Sequence, residues 1–194
     1  MRLLIIRHGE CELESGPDPP LTDRGREQAA RLADALSGVA LDRVVCSTMR
    51  RAIETAEPLA QALGVPLALE PALVEIDLGT LWHPDQQQAW DQICERWRAG
   101  DYAARCPQGE SLLDVVNRVQ PVAAWLLAEP WCHGVAAVAH AVVNGVLLPL
   151  VCPELGPSLG QDLGHSYTGV WELEGDPAAL RALRRDDVRH LLAP

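Results

Sequence analysis

Two short apolar runs, each ending in a histidine, constrain the fold of this chain more than any other feature. Leu3-Leu4-Ile5-Ile6 leads into Arg7-His8-Gly9, and Val135-Ala136-Ala137-Val138-Ala139 leads into His140. Neither run alternates polar with apolar residues. Each therefore reads as a strand covered on both faces, the environment of an inner strand in a parallel sheet. Ligands of open α/β sheets bind beyond the C-terminal ends of the strands. Two strands ending in histidine can thus aim two imidazoles at one crevice.

The sequence around these runs supplies helices to cover the sheet. Thr22 caps a helix with Ala29, Leu32, Ala33 and Leu36 on one face and Gly38 as its stop. Arg43-Val44-Val45-Cys46 reads as a second strand. Ser47 or Thr48 then caps a helix carrying Ala52, Ala56, Leu59, Ala60 and Leu63, closed by Gly64 and Pro66. A third short strand is expected near residues 67–69, an irregular loop over 75–84, and a helix through Trp90, Ile93, Cys94 and Trp97. Ser111 and Asp114 resemble a capping box, and Pro121 predicts a kink or break in the helix that follows. A helix over about residues 141–150 succeeds His140, and residues 167–173 and 180–183 read as a final pair of strands. This alternation predicts an α/β fold: a three-layer α/β/α sandwich with a mostly parallel central sheet, formed by one domain over residues 1–194.

Charge and cysteine usage exclude several roles. The formal net charge of −11 makes the chain a poor general binder of nucleic acid, which needs clustered cations. The opening MRLLIIRHGE is too short for a signal peptide, and no segment approaches a membrane span, so a cytoplasmic protein with no membrane partner is expected. The six cysteines form no CxxC pair and no zinc-ligand spacing; free thiols and no bound metal are expected.

The histidines have company. Arg7 adjoins the first, and Arg51 opens a helix just after another strand end. Two guanidiniums and two imidazoles in one crevice suit a phosphate dianion, because Arg offers forked donors and holds its charge at any working pH. A neutral imidazole can attack phosphorus, and fixed cations stabilise the charge that spreads over the phosphoryl oxygens.

At this point the sequence resembles the histidine phosphatase superfamily, also called phosphoglycerate mutase-like. The resemblance runs through Leu4-Ile5-Ile6-Arg7-His8-Gly9-Glu10, Leu21-Thr22-Asp23-Arg24-Gly25, Cys46-Ser47-Thr48-Met49-Arg50-Arg51-Ala52, Leu73-Val74-Glu75, Pro107-Gln108-Gly109-Glu110-Ser111 and Val138-Ala139-His140. It implies His8 as nucleophile and Glu75 as general acid. It further implies that Arg7, Arg51 and His140 hold the phosphoryl group, with the backbone N–H of Ala141 as a further donor at a helix N-terminus. No cofactor is implied, and the expected partner is a small phosphomonoester.

The chain also departs from the family pattern. Glu14 stands where an Asn that helps bind phosphate is usual, Cys11 where Thr or Ser is, Glu54 where Gln is and Thr48 where Pro is. Val74, Ala141 and Gly145 replace a common Arg, Gly and Arg, and Thr80-Leu81-Trp82-His83 replaces a frequent Trp-Glu-Gly segment. Residues 10–20 contain no basic residue, and the connection from Glu75 to Pro107 is short. A mutase must hold a second anionic group through turnover, so both observations favour water as the final acceptor. The expected activity is a metal-independent phosphatase; the alternatives are a phosphoglycerate mutase-type phosphotransferase and a non-catalytic phospho-ligand sensor.

Overall fold

A computed structural model describes residues 1–12, 16–82, 84–156 and 165–192. Glu14 and His83 lie outside the described residues. In chain order the elements are β1 (Arg2–Arg7), α1 (Asp23–Leu36), β2 (Arg43–Cys46), α2 (Arg50–Leu63), β3 (Leu67–Leu69), α3 (Gln87–Arg98), α4 (Leu112–Ala128), β4 (Gly134–Ala139), α5 (Ala141–Val151), β5 (Val170–Glu174) and β6 (Arg181–Asp187). One six-stranded sheet has the order β3-β2-β4-β1-β5-β6. β3, β2, β4 and β1 are mutually parallel; β5 adds antiparallel to β1, and β6 antiparallel to β5 at the far edge, so that β6 again runs with β1.

The two histidine-ended runs, β1 and β4, are neighbours at the centre, with Arg7 opposite Ala139 in the register. Their residues alternate between two apolar layers, as the pleat requires. Leu4, Ile6, Ala136 and Val138 pack with Leu32 of α1 and Ala52, Ala56 and Leu59 of α2. Leu3, Ile5, Val135, Ala137 and Ala139 pack on the opposite face with Val115 and Val119 of α4 and Val143 and Val146 of α5. Burial on both faces is why these runs carry no polar alternation.

Two helix starts form the caps that their sequence signals. Thr22 Oγ1 accepts the N–H of Gly25, and both halves of the Ser111/Asp114 capping box form. α4 continues through Pro121, so the expected break is absent; buried Val119, Val122 and Ala123 hold the helix against the core on either side of the proline. α2 departs from its expected cap. It starts at Arg50 behind Met49, with no side-chain cap, and neither Ser47 nor Thr48 caps it. Ser47 Oγ is turned to His140 instead. The 75–84 segment is more ordered than a loop, because a 3₁₀ turn forms over Gly79–Trp82.

β5 begins three residues later than expected because Tyr167 and Thr168 form a turn. Thr168 is fully buried with φ of 54°, and its N–H donates to the carbonyls of Arg7 and His8 at 3.1 and 3.3 Å. At the other side of the β1 exit, Gly9 and Gly25 lie back to back. A Cβ on Gly25 would collide with the Glu10 carbonyl, and one on Gly9 with the Gly25 carbonyl. The chain leaving β1 is therefore clamped from two sides.

Candidate active site

The strand ends bring His8 and His140 together, with ring centroids 5.0 Å apart. His8 is 4% exposed, and its Nδ1 lies 2.7 Å from the Gly9 carbonyl oxygen. A carbonyl only accepts, so the ring proton sits on Nδ1 and the lone pair is left on Nε2. Arg51 Nε donates to that Nε2 at 3.2 Å. Burial, then the charges of Arg51 and Arg7, push the His8 pKa well below its ordinary value; the Gly9 bond opposes them without reversing the shift. His8 is held neutral with its Nε2 lone pair among cations.

His140 is fully buried at the N-cap position of α5. Its Nε2 lies 2.8 Å from Ser47 Oγ, and its buried Nδ1 has no hydrogen-bond partner among the described residues. Burial, then His8, Arg51 and Arg7, lower its pKa as well.

The two arginines complete the ring. Arg7 Nη1 donates to the His165 carbonyl at 2.6 Å, while its Nε is buried and unpartnered. The guanidinium lies 4.2 Å over the ring of Tyr167, which also stands 5.8 Å from the His8 ring. Such stacking holds a cation by the ring quadrupole and fixes its plane. Arg51 is 4% exposed; Nη2 donates to Met49 Sδ at 3.3 Å, and Nη1 has no partner. Buried polar atoms without partners demand an explanation. Arg7 Nε, Arg51 Nη1 and His140 Nδ1 together form a set that an anion with several acceptor oxygens would satisfy.

Glu75 sits at the mouth of α5. Its Oε1 accepts from Ile76 and Val143 N–H at 3.0 and 3.4 Å, and its Oε2 from Val142 N–H at 3.3 Å. The carboxylate thus occupies the helix N-terminus that Ala141 opens, and its charge is felt at Arg51. Met49 Sδ accepts from both Arg51 Nη2 and Glu75 N–H. Every site residue expected from the sequence is therefore in this one region, and the sequence reading missed Ser47, Thr55 and Tyr167. Thr55 Oγ1 accepts Gly9 N–H at 3.0 Å and donates to the Arg51 carbonyl at 2.7 Å, tying the nucleophile loop to α2. Ser47 follows the end of β2, so the strand-end rule applied to the histidines also covers it. Tyr167 carried no such signal.

Glu54 turns away from this pocket. It accepts Leu21 N–H at 2.8 Å and pairs with Arg50 at 2.6 Å, which accounts for a carboxylate at that position. Among the described residues, no group of three or more His, Cys, Asp or Glu side chains is placed to hold a metal ion, and no helix is long and apolar enough to cross a membrane. All six cysteines are free. A separate cleft of about 380 Å³ lies between α1 and the β5–β6 edge, lined in part by Leu32, Val170 and His190. Its arginines are paired with Glu172 and Asp187, and it shares no residue with the histidine cluster.

The buried histidines imply a pH dependence of stability. Both bind protons more weakly folded than unfolded, so the unfolded chain takes up protons first as the pH falls. Stability is expected to be level above the unfolded pKa of about 6.5 and to decline below it, by up to about 1.4 kcal/mol per pH unit for each histidine. Urea titrations at pH 7.5 and 5.5 measure this, and His8→Gln should reduce the difference between them.

Proteins of similar sequence and shape are known. The family model of the histidine phosphatase superfamily (branch 1) matches residues 3–187. A probable phosphoglycerate mutase of Proteus mirabilis is 30% identical over 163 residues, covering 78% of this chain and 74% of the relative. Among solved structures, a protein described as mycobacterial hydrolase 1 superposes with a TM-score of 0.80 at 27% identity, covering 96% of this chain and 98% of that one. A mycobacterial glucosyl-3-phosphoglycerate phosphatase does so with 0.78 at 28% identity, covering 95% and 98%. The α-ribazole phosphatase of Shigella flexneri gives 0.77 at 26% identity, covering 97% of each. With a family match spanning nearly the whole chain, and its opening signature lying where β1 delivers His8, the chain belongs to the histidine phosphatase superfamily.

Proposed function

We propose that this chain hydrolyses phosphate monoesters through a phosphohistidine formed on His8 Nε2. The observation that carries the reading is the His8 Nε2 lone pair beside buried donors that lack partners on Arg7, Arg51 and His140. The phosphoryl oxygens take those donors while Nε2 attacks phosphorus in line with the leaving oxygen. The N–P bond forms, the P–O bond to the leaving group breaks, and Glu75 gives that oxygen its proton. Water then attacks the phosphohistidine, Glu75 takes the proton, and inorganic phosphate leaves with His8 restored. The cations that stabilise the transferring group are arginines, so no metal is called for.

Water as the acceptor is supported by how the nearby arginines are spent. Arg24 pairs with Glu10, Arg50 with Glu54 and Arg118 with Glu110. Each of these already faces a carboxylate, which the second phosphate and carboxylate of a mutase substrate would have to displace. The likeness to a probable phosphoglycerate mutase favours the second reading, in which the same phosphohistidine returns its group to a phosphoglycerate. A panel of small phosphomonoesters, assayed for phosphate release in the presence of EDTA, separates the two. Steady release from several esters is expected. Interconversion of phosphoglycerates dependent on a bisphosphoglycerate, with little release, would give the site to the mutase reading.

Glu75→Gln tests the acid. An alkoxide leaving group needs a proton and nitrophenolate scarcely does, so kcat on alkyl phosphates should fall by about 10²–10⁴-fold and on nitrophenyl phosphate far less. Equal losses on both would make Glu75 a cap of α5 and nothing more.

A further inference from the structure

Ser47 is fully buried one residue beyond β2, and the reaction above leaves it without a part. Its Oγ has two neighbours. It accepts the N–H of Met49 at 3.2 Å and lies 2.8 Å from His140 Nε2. The hydroxyl carries one proton, and Met49 N–H cannot receive it. His140 Nε2 is the acceptor in range, so the O–H donates to a lone pair on that nitrogen. A neutral ring with its lone pair on Nε2 carries its proton on Nδ1.

The opposite tautomer fails on two counts. It would leave the Ser47 proton buried without an acceptor, a cost of a full desolvated donor. It would also turn the Nδ1 lone pair, rather than an N–H, toward the space beside His8. The imidazolium would supply an N–H at both nitrogens, but burial and the neighbouring Arg51 and Arg7 oppose a charge there.

We propose that Ser47 is a positioning residue that fixes His140 as the neutral Nδ1–H tautomer, so that the unpartnered Nδ1–H is presented as a donor to an oxygen of the transferring phosphoryl group. The tautomer stands on the Ser47 contacts alone; its use rests on the phosphoryl-transfer reading. In this arrangement β2 contributes to catalysis without touching substrate.

The test is long-range ¹⁵N–¹H NMR of the imidazoles in the full chain at pH 7.5, with His140 assigned by the loss of its signals in His140→Gln. The expected pattern is a protonated Nδ1 and a lone-pair Nε2. A protonated Nε2, or an imidazolium, overturns the proposal without recourse to any Ser47 variant. Ser47→Ala should convert the pattern to a mixture of tautomers and lower kcat by roughly tenfold or more with KM little changed. Ser47→Cys, which keeps a weak donor in similar volume, should restore part of both. A His140 pattern unchanged in Ser47→Ala removes Ser47 from this role whatever kcat does. Inorganic phosphate added to the wild-type chain should shift the Nδ1–H proton downfield; its absence overturns the donor function. A chain inactive on every ester, yet showing the expected tautomer and phosphate shift, would defeat the phosphatase reading and leave the tautomer and its phosphate contact standing.

Discussion

Replacing His8 by alanine is expected to abolish turnover, by roughly 10⁴-fold or more, while the folded chain survives. The size of the loss follows from covalent catalysis: without Nε2 there is no intermediate, and the remaining cations can only bind. Survival follows from the packing. The ring sits at the end of β1, beyond the paired residues, and the loop is still clamped by Thr55, Thr168 and the Gly9–Gly25 contact. Labelled phosphate should stay on wild-type protein quenched in base and be lost in acid, because phosphohistidine is acid-labile. The variant should carry no label under either quench. Turnover within tenfold of wild type, or base-stable label on His8→Ala, would move the nucleophile elsewhere.

Arg51→Met is expected to act in opposite directions on activity and stability. Arg51 is a buried cation whose bonds go to two uncharged acceptors, a ring nitrogen and a weakly accepting thioether, and among the described residues Nη1 has none. Among the described residues, no carboxylate lies within ion-pair distance of it. Burial accordingly lowers its pKa below the ordinary arginine value. Methionine of similar length removes that uncompensated charge, so the phosphate-free chain should gain about 1–2 kcal/mol and melt a few degrees higher. Loss of a preorganised donor at the transferring group should cost about 10²–10³-fold in kcat. Inorganic phosphate should raise the melting temperature of the wild type and scarcely that of the variant, because a ligand stabilises only the state that binds it. A less stable variant that still responds to phosphate would place Arg51 outside the anion site.

The parts of this fold that were legible in the sequence are those where one local signal has one structural outcome. Leu3–Ile6 and Val135–Ala139 read as inner strands, and a histidine at the end of each can then face the crevice. Thr22, Ser111 and Asp114 cap helices because their partners are three residues away. What failed was whatever depended on residues distant in the chain. Apolar periodicity carries no strand direction, so residues 167–173 and 180–183 gave a pair of strands without revealing that β5 alone runs against the rest and that β6 turns back to run with them. Ser47 has the chemistry of a cap, but α2 starts two residues further on, behind Met49, and the Ser47 side chain meets a residue 93 positions away. Tyr167 reads as a strand aromatic; its place over Arg7 depends on the left-handed turn at Thr168, which no neighbouring residue announces.

The central place of β1 has a consequence for how the molecule is made. Residues 2–7 pair with residues 134–139 and 170–174, and with no segment nearer in sequence. During synthesis the run Leu3–Ile6 emerges long before either partner, and contacts of such separation are slow to close. The nascent chain must carry an unpaired apolar strand, with the nucleophile at its tip, until β4 has left the ribosome. Truncated chains ending before residue 134 should therefore be captured by holdase chaperones or aggregate, and phosphate-binding competence should appear only with chains long enough to include β4.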